Sequence, residues 1–241
     1  MPKNNAALMA SREVTAEKRS GETFASVAYG RLKEDVINGV YTPGAKLRIQ
    51  DLCERYELGP SPLREALNRL TRDGLVELSD HKGFSVTPIS RDHLEELTTT
   101  RCWLNELALR QSILKGDPKW EESVVLAYHR LSRSPRYSSE EARNSGAFNS
   151  AWEQAHRAFH STLIAACGST WLIDFCEQLF DAADRYRHLS RGRGARSRPG
   201  RDEHKEMVDA IVAGDADTAV ALLNRHFMRT CERVSDRLPA A

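Results

Sequence analysis

The chain has 241 residues, of which 40% are hydrophobic and 29% are charged, and its formal net charge is +1. This length allows one large or two modest domains with their own cores, and the near-zero charge favours no class of partner. The chain has no apolar run long enough for a signal peptide or a membrane span, so we expect a cytoplasmic protein. The five cysteines form no C-x-x-C pair, which favours buried core thiols.

The N-terminal part begins with a polar tail over residues 1–22, which we expect to be flexible. Apolar residues at helical spacing then predict a first helix over 24–38 and a short second helix over 49–56. A third helix is expected to open at Ser61-Pro62, with the serine as N-cap and the proline at the first helical position.

A β-hairpin is predicted directly after the third helix. Two short runs, 75–79 and 84–87, flank a polar tip that contains Gly83. Three short helices followed by a hairpin is the order of a winged helix-turn-helix domain, which we place at residues 23–89. In that fold the third helix lies in the DNA major groove and the hairpin tip contacts the backbone or the minor groove.

Polar side chains of the third helix and of the hairpin tip are the candidates for DNA contact. They are Ser61, Arg64, Asn68, His81, Lys82 and Gly83. Arg64 and Asn68 stand one turn apart opposite the leucines, and these side-chain types read guanine and adenine edges bidentately. Ser61, at the helix N-terminus, suits a phosphate. Each position taken alone also fits a solvated surface residue, so it is the order of elements that favours DNA binding.

The second part of the chain shows helical patterns and no strand pattern. The patterns run over 90–115, 118–133, 149–167, 170–188, 202–213 and 216–237, with loops near 134–148 and 189–201. We therefore predict an all-α domain of about six helices over 90–237. The arginine-rich loop at 189–201 is expected to be a mobile, solvated connection because of its glycine, serine and proline content.

Four histidines of this domain form a candidate metal site. In the sequence A-H-R-A-F-H, His156 and His160 share one helix face, as two ligands of one metal ion would. A zinc protease is excluded because Arg157 stands where the general-base glutamate is needed. His204 and His226 lie about 15 Å from the short turn that joins their two helices, on inward faces. A lone inward histidine is usually a core residue, but matched heights favour convergence on Zn²⁺ or Ni²⁺.

A second set of residues is a candidate for effector binding. Arg101 lies on the apolar stripe of the first helix of this domain, and Asn105 follows one turn later. Because a buried arginine without a partner is costly, Arg101 is expected to meet either an internal carboxylate or the carboxylate of a bound ligand. Arg187, near the inward face of the fourth helix, is a further candidate for the same role.

The segment from Pro43 to Val86 resembles the winged-helix domain of GntR-type bacterial transcription regulators, with P-L-R-E-A-L and D-G-L-V as a specific signature. The helical remainder is similar to the ligand-binding domain of the FadR subfamily. In one departure, Pro60 stands where many members have a base-reading arginine. The resemblance implies the family's docking mode on DNA, but this departure argues against assuming its usual operator sequence.

The same resemblance bears on the histidines. Many FadR-type regulators bind a metal through an aspartate and three histidines, which His160, His204 and His226 match. His156 stands at the aspartate position, and this replacement leaves the site one unit more positive, which favours an anionic ligand.

These observations predict a dimeric transcription regulator on a palindromic operator, a repressor by default. A small organic acid held by the metal and Arg101 would change the operator affinity. A rival hypothesis is a metal sensor in which the metal itself is the signal. A more distant one is a metal-dependent hydrolase, for which the sequence offers no convincing general base.

Overall fold

The computed structural model describes residues 22–80, 82–145, 147–190, 203–236 and 238. The helices and strands of these residues are α1 (Phe24–Ile37), β1 (Lys46–Leu47), α2 (Ile49–Tyr56), α3 (Pro60–Arg72), β2 (Val76–Ser79), β3 (Gly83–Val86), α4 (Arg91–Lys115), α5 (Pro118–Arg133), α6 (Glu140–Ser145), α7 (Ser150–Ile164), α8 (Thr170–Leu189), α9 (Glu203–Val212) and α10 (Ala216–Ser235). The predicted class is confirmed, because a winged helix-turn-helix precedes an all-helical part.

The recognition helix α3 begins two residues earlier than expected. Gly59 is the N-cap and Pro60 is the first helical residue, so the expectation of an N-cap at Ser61 is wrong. The physical reason is that the ring of Pro60 fixes the helical φ angle and lacks the N–H group that a first turn leaves unpaired. Ser61 therefore lies within the first turn. The buried leucines of α3 pack against α1 in a core of their own.

The hairpin pairs as predicted, and a third strand joins it. The sheet order is β1-β3-β2, with both pairs antiparallel. Gly83 has a φ of 75°, a left-handed conformation that favours glycine at the tip. The two-residue strand β1 was missed because two residues are too few to show an alternating pattern.

The helical part has seven helices within the described residues, not six, because the predicted loop at 134–148 contains α6. This helix has no buried residue, so it carries no apolar stripe from which periodicity could find it. Ser139 caps it by accepting a hydrogen bond from the Ala142 N–H group at 3.1 Å. Residues 1–21 and 191–202, which hold most of the expected tail and arginine-rich loop, lie outside the described residues.

Helix α4 forms the centre of the helical part, with α10 and α8 packed along it. Arg110 of α4 pairs with Asp217 of α10 at 2.6 Å. Lys115, at the end of α4, donates to the carbonyl of Cys167 just before α8, at 3.0 Å, so α4 and α8 run antiparallel. Among the residues that the structure describes, no helix is long and apolar enough to cross a membrane.

Candidate metal centre and DNA-reading face

The four candidate histidines converge. His156 and His160 come from α7, His204 from α9 and His226 from α10. One ligand nitrogen of each lies within 4.8 Å of those of the other three. The rings of His204 and His226 are 4.8 Å apart, as the matched heights on the α9–α10 hairpin predict. The geometry therefore brings four nitrogen donors from three helices to one point.

The hydrogen-bond partner of one imidazole, that of His226, fixes which of its nitrogens is available to a metal. His226 Nδ1 lies 2.8 Å from Glu203 Oε2, and because an ionised carboxylate only accepts, Nδ1 must donate. This leaves Nε2 of His226 with its lone pair. Arg229 also pairs with Glu203, and these bonds lower the pKa of Glu203 to about 2, the bond from His226 contributing most. A carboxylate behind a histidine is the usual outer support of a metal ligand. Sequence reasoning missed Glu203, although it directly precedes His204.

Burial keeps three of the four histidines uncharged at neutral pH. Burial, together with the neighbouring imidazoles and arginines, holds the pKa values of His156 and His160 well below their usual range. The pKa of His226 falls to about 4, again chiefly because of burial. Neutral imidazoles keep the lone pairs that a metal ion needs. Four nitrogen donors fit the four-coordinate preference of Zn²⁺, and imidazole also suits Ni²⁺, so the donor set fits the expected metals.

Arg187 contacts the cluster through His156. Its Nη1 atom lies 3.3 Å from His156 Nδ1, and its Nη2 atom pairs with Asp184 one turn earlier on α8. On its other side His156 stacks on Trp152, with ring centroids 4.7 Å apart. Arg187 therefore borders the histidines, as proposed for an effector-binding residue, but its charge is balanced by Asp184.

Arg101 lies beside the same cluster, and the charge of Asp184 acts on it without forming an ion pair with it. It is buried, and it forms no ion pair with any described residue. Its guanidinium lies 4.1 Å from the centre of the Phe227 ring, which is 5.8 Å from the ring of His160. Burial lowers the pKa of Arg101 to about 10. Asn105 donates one N–H of its side-chain amide to the Arg101 carbonyl at 2.9 Å, which leaves the second N–H and the side-chain oxygen for a ligand.

The DNA-reading candidates lie on the surface of the winged helix-turn-helix. Ser61, Arg64 and Asn68 are exposed on α3, and Lys82 and Gly83 are exposed at the hairpin tip. His81 lies outside the described residues. The arrangement leaves one face of the recognition helix free of the protein core, as major-groove binding requires.

Two family matches cover most of the chain. Residues 24–86 match "Bacterial regulatory proteins, gntR family", and residues 96–229 match the "FCD domain". The chain belongs to the GntR family. This GntR regulator is 39% identical over 198 residues to the "Uncharacterized HTH-type transcriptional regulator BphR" of Paraburkholderia xenovorans, covering 82% of this chain and 80% of the relative. It is 33% identical to the "HTH-type transcriptional repressor GlaR" of Escherichia coli, covering 83% and 90% of the two chains.

Solved structures agree on the fold of this GntR regulator. The E. coli McbR/YncC structure superposes with a TM-score of 0.71 at 18% identity, covering 89% of this chain and 98% of that chain. A transcriptional regulator from Rhodococcus gives 0.68 at 22% identity, covering 89% and 99%. Because the family and its relatives are regulators, the protein is a transcription regulator and not an enzyme, and the hydrolase hypothesis is set aside.

Proposed function

We propose that this GntR regulator is a repressor whose operator affinity is set by a small carboxylate bound at a histidine-held divalent metal. The observation that carries the proposal is the convergence of four histidines beside Arg101, a buried cation without an ion-pair partner among the described residues. That a relative is named as a repressor supports repression, rather than activation, as the mode of regulation. Such a regulator would act on DNA in the cytoplasm.

His156, His160, His204 and His226 would hold the metal, with Glu203 fixing the orientation of His226. Zn²⁺ is the expected ion because it accepts four nitrogen donors readily, and Ni²⁺ is the second choice. When bound, the metal would supply a positive centre to which an anionic oxygen could bind as a fifth ligand, a coordination number that Zn²⁺ can also adopt. In place of the one aspartate and three histidines of many FadR-type regulators, this chain has four neutral ligands, so its metal keeps both positive charges.

The effector would place a carboxylate between the metal and Arg101. A buried arginine gains most from a carboxylate that arrives with its ligand, because an empty site leaves the guanidinium desolvated and unpaired. Asn105 and Arg187 would border the same ligand, Asn105 by donating the second N–H of its side-chain amide. A small organic acid fits this combination of a metal and a planar cation.

DNA binding would use the exposed face of α3 and the hairpin tip, in a homodimer on a palindromic operator. Each of the two parts that we propose as domains, 23–89 and 90–237, has a hydrophobic core of its own. Exposed apolar residues follow one stripe of α4, and a second pair lies on α8 beside it. These residues are Trp103, Leu107, Leu114, Trp171 and Phe175. We propose this surface as the dimer contact, since exposed apolar patches mark association sites.

The test is operator binding under controlled metal and ligand conditions. Duplexes selected by the protein from a random pool serve as operator, and binding is followed by fluorescence anisotropy. The metal-stripped protein is titrated with Zn²⁺, and the loaded protein then with a panel of small organic acids. We expect an acid to weaken operator binding only when Zn²⁺ is present. If Zn²⁺ alone changes the affinity fully and no acid adds to it, the metal-sensor hypothesis replaces this one.

A further inference from the structure

Helix α8 belongs to the helical part and packs against the winged helix-turn-helix. Three of its residues, at i, i+3 and i+7, contact the DNA-binding part. Gln178 donates to the carbonyl of Arg72 at the end of α3, at 2.9 Å. Asp181 pairs with Lys33 of α1 at 2.5 Å, and Arg185 donates to a backbone carbonyl just after β3. One stripe of α8 therefore fixes the position of the recognition helix, α1 and the hairpin together.

The same helix is bonded to the helix that carries two of the histidines. Arg157, which directly follows His156, pairs with Asp181 and with Glu177 at 2.9 Å. Ser161, which directly follows His160, donates to Glu177. Any shift of α7 that accompanies binding at the histidines would therefore move groups bonded to α8.

Asp181 is the point where the two sets of contacts meet. Its side chain is only 7% exposed and is shared by Lys33 of one part and Arg157 of the other. Burial alone would lower the pKa of Lys33, but the hydrogen bond and charge of Asp181 offset this, so the pKa is raised. Lys33 stays charged, and a buried carboxylate between two fixed cations responds strongly to the displacement of either one.

The contacts continue from Lys33 to the recognition helix. Lys33 Nζ donates to the hydroxyl of Tyr29 at 3.1 Å, and this hydroxyl donates to Asp73 Oδ2 at 2.6 Å. Asp73 is the C-cap of α3. Arg69 of α3 also covers the ring of Tyr29, 4.0 Å from its centre. An unbroken series of polar contacts thus joins the histidine helix to α3.

We propose that Arg157, Asp181 and Lys33, here called the interdomain triad, transmit the state of the histidine centre to the DNA-binding part. Asp181 binds Lys33 of α1 on one side and Arg157 of α7 on the other, so a shift of α7 would loosen or tighten the contact with α1. The transmitted signal rests on the proposed function, because it requires binding at the histidines. The link between α7 and α1 through the triad does not depend on the proposed function, because its contacts are formed by the protein alone.

The test compares amide hydrogen exchange in the full chain for wild type, Arg157→Met and a matched control. Arg110→Met is that control, because Arg110 also bridges two carboxylates, Glu106 and Asp217, but lies between α4 and α10. In the metal-stripped protein, Arg157→Met should speed exchange in α1 by about fivefold or more, although it lies in the other part of the chain. Arg110→Met should leave α1 within about twofold of wild type.

Lys33→Met provides a second variant that changes the partly exposed end of the triad. It should reproduce the faster exchange in α1, and combining it with Arg157→Met should add little, because both remove the same link. Additive effects of the two substitutions, or an unchanged α1 in Arg157→Met, would overturn the triad.

Zn²⁺ alone is the probe of transmission. One equivalent should slow exchange in both α7 and α1 of the wild type, and only in α7 of Arg157→Met. Slowing confined to α7 in the wild type would overturn the transmission while leaving the metal site intact. If Zn²⁺ changes exchange nowhere, the metal proposal fails, and the comparison of metal-free variants still decides whether the mechanical link exists.

Discussion

Glu203 lies behind His226 and accepts its Nδ1 proton at 2.8 Å, so the other ring nitrogen of His226 keeps its lone pair. This relationship gives the histidine cluster a definite tautomer at one of its four members. It also places a carboxylate, itself paired with Arg229, at the edge of the histidine cluster. Because Glu203 orients His226, a candidate metal ligand, removing its charge should measurably change the affinity for metal.

Glu203→Gln should weaken Zn²⁺ binding by about 10- to 100-fold, the range seen when such outer partners are removed. A competition titration against a chromophoric chelator measures the affinity. Glu206→Gln is the control, since Glu206 pairs with Arg225 at 3.2 Å from the same helix. Equal affinities for the two variants would show that Glu203 does not support the site.

The metal-free protein should lose stability as the pH falls from 7 to 5. The pKa of His226 is lowered to about 4 by burial, from an ordinary value of about 6.5, so the unfolded chain binds protons first. Stability then falls as the pH drops below about 6.5, by about 2 kcal/mol at pH 5 from His226 alone. Urea unfolding at each pH checks this, and His226→Asn should reduce the dependence, to which His156 and His160 also contribute. A pH-independent midpoint in the wild type would contradict it.

Arg101→Met should leave operator binding and Zn²⁺ retention intact. It should lower the affinity for the effector by about 10- to 150-fold, because one charge-assisted contact is lost. The metal-free variant should be at least as stable as wild type, since a buried cation without an ion pair among the described residues is removed. Thermal shift and calorimetry with the strongest acid from the panel measure both. Marked destabilisation would point to a structural role, and wild-type effector affinity would remove Arg101 from the site.

Arg64→Ala should cost about 1–3 kcal/mol of operator binding and relax the choice of base, while non-specific binding persists. Lys82→Ala at the hairpin tip should instead weaken binding to operator and to random duplex alike. The slope of log affinity against log salt concentration should fall by about one. Anisotropy titrations at several salt concentrations separate the two patterns. Unchanged discrimination in Arg64→Ala would take Arg64 off the reading face.

Trp103→Glu should convert the dimer into monomers, because Trp103 is 67% exposed at the N-terminal end of the apolar stripe on α4. Analytical ultracentrifugation measures the change, and operator affinity should fall by roughly 10-fold or more as the half-sites are bound independently. Leu126→Glu on α5, at another exposed apolar position, should leave the dimer intact. The reverse outcome would place the contact on α5.

The sequence by itself determined the helices, the hairpin and the matched heights of His204 and His226, because helix rise and side-chain periodicity are local properties of the backbone. The P-L-R-E-A-L signature likewise identified the family. The tertiary structure decided which groups pair: Glu203 with His226, Asp181 with both Lys33 and Arg157, and Arg101 with no carboxylate among the described residues. These choices depend on how helices far apart in the chain pack, and a periodic pattern records which face is buried but not what that face meets.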